Sequence, residues 1–359
     1  MSHDIKLEVD GVVIEGWTSV QVSRSLDSLA DTFALALSQS IIPPAAVSIT
    51  GSKCHVKLDD TLLISGYIDE VSLTDDGNSS SFMVSGRSLA GDLLDCSAVH
   101  KPWHKANGLQ IARDLCDPFG ISVQVDSSVG ELAVERYFKH EDGETVGDVL
   151  LRLGERNAAR LVSRPSGNLL FTRTGSTVHS DVVVERGVNV VSASVRQSIA
   201  ERYSDYVFKS QLAASDESYG EDANVKYTAH DDGVGRFRPL VVKAKTGHRA
   251  GPKSGKSAVE EAAIWERQVR AGRSLSLDYE IASTPDTRAS WVHTHGVWTP
   301  NEIVSLRDRR YGLDGLFLVT RVTLVRDSNG TRTSLALALP EAYDVKLPPK
   351  AKVKKGFVW

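Results

Sequence analysis

"IKLEVDGVVIEGWTSVQVSRSLDSLADTFALALS", residues Ile5 to Ser38, decides how the chain is read. Ile5, Leu7 and Val9 alternate with charged residues, the period-two pattern of a half-buried strand rather than the 3.6-residue period of a helix. Asp10-Gly11 then supplies the residue types of a two-residue hairpin turn. "TSVQVSRSL" continues as a strand, and "DSLAD" reads as a helical turn with Asp27 as its N-cap. "TFALALS" resumes the alternation with Phe33, Leu35 and Leu37 inward. "KCHVKLDDTLLISGYIDEVSLTDDGNSSSFMVSGRS" adds three strands, punctuated at Asp59-Asp60 and Asp75-Asp76-Gly77-Asn78. Such short strands with tight turns and almost no helix predict a small β-barrel or sandwich over residues 1–98.

The period changes near Leu89. In "NGLQIARDLCDPFGISVQV", Leu109, Ile111, Ala112 and Leu115 fall at helical spacing, Asn107 caps the start, and Pro118 and Gly120 end the helix. A second helix begins near Thr145 with Val146, Val149, Leu150 and Leu153 on one face, and a hairpin follows, turning at Ser166-Gly167-Asn168. Residues 99–174 therefore read as a small α/β domain.

From Thr177 the chain returns to strands, "VVVERGVNVVSASVRQS" and "RYSDYVFKSQL". The polar stretch "AASDESYGEDANVKYTAHDDGVGRF" reads as a long exposed loop. "RPLVVKAK" is a strand and Ala258–Ala271 a helix, after which strands ending in a hairpin at Ser328-Asn329-Gly330 complete a β-rich domain at 175–342. Residues 343–359 are lysine- and proline-rich and read as an extended arm ending in Phe357, Val358 and Trp359.

Composition bounds the function. At 359 residues the chain exceeds one ordinary core, so two to four domains are expected. A net charge of −4 argues against a protein that coats itself with nucleic acid. The apolar runs are strand-length, and the opening residues lack the apolar core of a signal peptide. Three scattered cysteines, Cys54, Cys96 and Cys116, fit small residues made in a reducing cytoplasm rather than a disulfide frame.

Three kinds of motif tempt a catalytic or ligand-binding reading. "GPKSGKS", Gly251 to Ser257, lies between a strand and a helix as a phosphate loop does. That motif needs glycine five residues before Gly255, where Ala250 stands, so a solvated basic loop is expected instead. His100 and His104 flank Pro102, which disfavours a helix bringing both to one metal. His293 and His295 alternate in "WVHTHG" and face one side, but a metal would need a further ligand, and none is visibly placed in sequence. The pairs Asp59-Asp60, Asp75-Asp76 and Asp231-Asp232 sit in turn contexts, where Asp is favoured for bonding nearby backbone. No nucleophile elbow and no His-Glu-x-x-His is present. The expectation is a non-enzyme with no catalytic, cofactor-binding or metal-binding residues and no cofactor.

The order of parts carries a resemblance. "LEVDGVVIEGWTSVQVSRSLDSLADTFALALS", "ETVGDVLLRLGERNAARLVSRPSGNLLFTR", and "AIWERQVRAGRSLSLDYEIAS" with "GVWTPNEIVSLRDRRYGLDGLFLVTRVTLVRDSNGTRTSLALAL" succeed one another along the chain. This series resembles the baseplate hub proteins of contractile-tailed, Mu-like bacteriophages, and more distantly the hub part of type VI secretion spike proteins. It covers nearly the whole chain apart from roughly 213–234 and the last fifteen or so residues.

The resemblance implies a β-rich α+β fold, with two small β-barrel domains flanking the α/β domain and a helix near 258–271 inserted in the second. It implies a homotrimeric adaptor joining a hexameric tail tube to a trimeric central spike, with other baseplate proteins around it. DNA would pass through its channel without specific binding. The location implied is the virion tail baseplate, after synthesis in the host cytoplasm. The alternatives are the hub part of a secretion-system or bacteriocin spike, or a tail-associated peptidoglycan hydrolase, which would need an acidic pair in a cleft.

Overall fold

The computed structural model describes residues 3–38, 49–75, 80–211, 224–243, 255–282 and 290–343. It forms two compact units, Met1–Val195 with Leu277–Ala338, and Arg196–Ser276 with Leu339–Trp359.

The first unit opens with β1 (Ile5–Val9), β2 (Val12–Ile14), β3 (Ser19–Ser25), β4 (Thr32–Ser38), β5 (Lys53–Leu58), β6 (Thr61–Asp75) and β7 (Ser80–Ser88). Alternation sets their burial: Ile5, Leu7 and Val9 face inward on β1, as do Val20 and Val22 on β3. Asp10 and Gly11 close the first hairpin, with φ of 49° and 80°. Residues 27–31, the expected helical turn, form bends and irregular backbone instead. The backbone groups flanking the segment are taken by distant partners instead: the Leu26 N–H bonds the Thr320 carbonyl and the Asp31 N–H the Ser88 hydroxyl. Gly86 is required by close approach, since a Cβ there would meet the Tyr67 carbonyl and the Phe33 ring.

The next segment holds α1 (Gly91–Asp95), β8 (Trp103–Asn107), α2 (Gly108–Cys116), β9 (Val123–Val125), β10 (Val134–Phe138), α3 (Val146–Arg156), β11 (Arg160–Ser163) and β12 (Leu169–Thr172). Asn107 caps α2 by accepting from Leu109 N–H at 2.7 Å. Thr145 and Asp148 form a reciprocal capping box on α3, whose Val146, Val149, Leu150 and Leu153 are buried. Ile111, Ala112 and Leu115 of α2 join them in one core with Leu161, Leu169 and Phe171.

Then follow β13 (Thr177–Glu185) and β14 (Val190–Gln197). The second unit is built from β15 (Asp205–Gln211), β16 (Asn224–His230), β17 (Pro239–Lys243) and α4 (Gly255–Arg273). Its sheet order is β16-β15-β17, with β17 parallel to β15. Val259 and Ala263 of α4 pack on Tyr206, Phe208 and Ala229. β16 lies inside the stretch expected to be a loop. Its average polarity hides the alternation Val225, Tyr227, Ala229, which tertiary pairing with β15 turns into a strand.

The chain returns to the first unit with β18 (Leu275–Ala282), β19 (Val292–His293), β20 (Gly296–Val297), β21 (Glu302–Asp308), β22 (Leu313–Asp327) and β23 (Gly330–Ala338). The main sheet runs β14-β18-β23-β22-β3-β4-β7-β6-β5-β1-β2, with β21 pairing β22 and β13 pairing β21. It contains one strand order twice. β3-β4-β7-β6-β5-β1 corresponds to β14-β18-β23-β22-β21-β13, each set taken in the same chain order. The central hairpins also match: β6 and β22 have 15 residues, and β7 and β23 have 9. Each long strand carries a register shift, at Ile68/Glu70 in one and Val319/Arg321 in the other. The two sets join where β3 pairs antiparallel with residues 321–326 of β22.

Candidate functional site

The densest group of ligand-type side chains gathers beside β13. That strand pairs parallel with β21 through His179↔Val304, then resumes only at Val183↔Ser305. The bulge between them re-aims Asp181. The β19–β20 hairpin carries His293 on its first strand and His295 in its turn. Glu302 begins β21.

His295 Nε2 lies 2.7 Å from Asp181 Oδ2. The His295 ring stacks on that of His179, with centroids 4.4 Å apart. One ligand atom each from His179, Asp181 and His295 falls within 4.8 Å of the others. Behind them the Glu302 carboxylate faces two more ring nitrogens, His179 Nε2 at 3.9 Å and His293 Nε2 at 3.3 Å. His293 Nδ1 accepts the His295 backbone N–H at 3.2 Å, which assigns the neutral ring's proton to Nε2. His293 is buried, and its ring meets Trp298 edge-on at 4.7 Å. Asp181, His293, Thr294 and Trp298 line a small cleft. The Asp181 carboxyl is held below its usual range, chiefly by the hydrogen bond to His295.

The sequence contained His293 and His295 as a pair without a further ligand. The structure supplies His179 and Asp181 from a strand more than a hundred residues earlier. Within the β13 sequence, two donors two residues apart were the only hint.

The other sequence candidates disperse. His100 stacks on Trp103 at 4.2 Å, and His104 packs against Tyr137 at 5.1 Å. Asp59 sits at φ 51° in the β5–β6 turn, accepting from the Asp4 N–H and pairing with His3. Asp231 accepts from Gly233 N–H, as a turn Asp does, but it is also buried against the Arg202 guanidinium at 2.6 and 2.8 Å. Burial pushes its carboxyl up, and Arg202 outweighs that and holds it low. Asp75 ends β6, and Asp76 lies outside the described residues. Gly251 to Ser254 also lie outside them, while Gly255-Lys256-Ser257 open α4. The arm from residue 344 onward falls outside them too.

Comparison with known proteins decides what this framework belongs to. Residues 4–88 match the N-terminal domain of the Mu phage baseplate assembly protein GpP-like family. Residues 90–173 match the second domain of the baseplate hub protein gp44-like family, and 255–346 the fourth domain of the Mu GpP family. The baseplate hub protein gp44 of Escherichia phage Mu is 30% identical over 371 aligned positions, spanning 99% of this chain and 93% of that protein. The chain belongs to the Mu-like baseplate hub proteins.

Solved structures agree with membership of the baseplate hub family. The 43 kDa tail protein of prophage MuSo2 from Shewanella oneidensis superposes with a TM-score of 0.81 at 27% identity, over 96% of this chain and all of that one. A tail protein from Neisseria meningitidis shares the fold at 0.78 and 18% identity, over 97% of this chain and all of its own. An E. coli type VI secretion component, described as similar to T4 tail proteins gp27 and gp5, shares it at 0.55 and 11%, over 96% of this chain and 79% of its own. Proteins of the hub family matched here are named for a structural place in the phage baseplate, not for a reaction.

Proposed function

We propose that the chain is a trimeric adaptor, joining a hexameric tail tube to a trimeric spike around a channel that passes DNA without binding it specifically. The observation that carries this reading is the doubled strand order. Two similar six-stranded sets in each chain give six in a trimer, which suits a sixfold partner on one face and a threefold one on the other. In this reading residues 1–98 and 175–342 supply the two β domains, and 99–174 the α/β domain between them.

The doubled order also supports a joint between copies. Within one chain β3 pairs with residues 321–326 of β22. Their counterparts are β14 and residues 70–75 of β6, and among the described residues neither has a strand on its outer side. An unpaired strand edge offers a row of hydrogen-bonding groups to another chain. By the register of the internal joint, Glu70 of one copy meets the end of β14 that carries Arg196 in the next.

The solution mass of the full chain, with charge variants, tests this. Wild type should measure as a trimer, Glu70→Arg and Arg196→Glu singly as smaller species, and the double exchange as a trimer again. A monomeric wild type, or single variants that assemble normally, would overturn the proposed joint. The fold shared with type VI components keeps a secretion-spike hub as the second reading. Binding to a phage tail tube, rather than to a secretion tube, separates the two.

A further inference from the structure

We infer that His179, Asp181 and His295 form a binding site for a divalent transition-metal ion of the zinc class. Imidazole nitrogens with a carboxylate oxygen suit such ions, whereas calcium and magnesium favour all-oxygen shells. The three ligand atoms lie within 4.8 Å of one another. Small side-chain rotations close that spread to metal-bond length, because Asp181 and His295 are exposed, and the contacts that hold them, their mutual hydrogen bond and the stacking of His295 on His179, lie within the cluster itself.

A second and independent observation points to a cation. His293 Nε2 and Glu302 Oε2 are buried, face each other at 3.3 Å, and have no hydrogen-bond partner among the described residues. The His293 side chain is only 5% exposed. A carboxylate oxygen shielded from water and left without a hydrogen bond is costly unless positive charge lies near. Glu302 sits directly behind His179, with Oε1 at 3.9 Å from its ring. An ion on His179 would place that charge beside Glu302, and the carboxylates of Asp181 and Glu302 together carry the two negative charges it neutralises. Glu302 and His293 are then positioning residues behind the ligands, of the kind that fix ring orientation at metal sites.

The bound ion would staple the β13 bulge to the β19–β20 hairpin, joining segments more than a hundred residues apart. The exposed sides of Asp181 and His295 leave the remaining coordination positions facing solvent.

The test uses the untagged full-length chain, freed of metal with a chelator and titrated with Zn²⁺ and with Co²⁺. One ion per chain should bind, raise the melting temperature as a native-state ligand does, and give the visible absorption of imidazole-bound cobalt. His295→Ala and Asp181→Asn, both at exposed positions, should abolish the cobalt spectrum while the metal-free proteins melt as wild type. Glu302→Gln should weaken Zn²⁺ binding by roughly 10–100-fold without changing the stoichiometry. His100→Ala, remote from the cluster, should bind as wild type. Absence of binding, or binding that survives His295→Ala and Asp181→Asn, overturns the site.

Discussion

The two six-stranded sets of the main sheet share an order but not an interior. The first connects β3 to β4 with six residues, whereas the second places β15, β16, β17 and α4 between β14 and β18. The first has β1 antiparallel to β5, while the second has β13 parallel to β21. At the last position of the strand before the long hairpin, the first set holds buried Leu58 and the second buried Asp308. Arg186 Nε donates to both Asp308 oxygens at 2.8 and 2.9 Å, and the Tyr279 hydroxyl donates at 3.0 Å. A strand order is thus preserved by pairing and hairpin geometry alone. What fills the inside, and what is inserted between strands, is free to diverge.

Cutting matched core positions breaks the comparison most severely. Val84 on β7 and Leu335 on β23 are fully buried and pair with Val71 and Val322 at equivalent places on the long strands. Leu335→Ala should cost about 2–5 kcal/mol in urea unfolding, and Val84→Ala less because it removes one carbon fewer. If only one substitution destabilised the sheet, the two sets would not be energetically parallel.

Acid should separate the sets next. Burial pushes the Asp308 carboxyl up, but the hydrogen bonds from Arg186 and Tyr279 win and hold it below the usual range. A depressed carboxylate stabilises the fold above its unfolded pKa of about 3.9, and that contribution disappears as pH falls through the lower folded value. In the first set, burial raises the Asp31 carboxyl against the opposing Arg24. That group favours the fold in acid rather than at neutrality. Asp308→Asn should therefore lower the melting temperature at pH 7 and flatten its fall below about pH 4. An unchanged slope in thermal melts across that range would remove Asp308 as the cause.

The smallest effect is expected from excising the insertion. Ser198 N–H bonds the Ser274 carbonyl at 2.8 Å, so the two ends of the inserted segment already meet. A chain with residues 199–273 replaced by a short glycine-containing turn should keep the sheet's melting temperature within about 5 °C of wild type. Loss of the cooperative transition would mean that the sheet depends on the inserted segment to fold.

Much of this was legible in local sequence, because local physics fixes it. The Asp10-Gly11 turn, the Asn107 and Thr145 caps, and the apolar faces of α2 and α3 depend on residues within a few positions of each other. The order of these parts also sufficed for the baseplate hub resemblance, since family-level pattern lives in strand spacing. β16 was hidden by the polar average around it, and residues 27–31 depart from the expected helical turn because distant partners, Thr320 and Ser88, take the Leu26 and Asp31 backbone N–H groups. Only the tertiary structure decided that β3 pairs with β22 about three hundred residues away, that one strand order occurs twice, and that His179 and Asp181 stand beside His295. Such contacts are set by sheet register and by a bulge. No periodicity in a single strand encodes which distant strand will lie beside it.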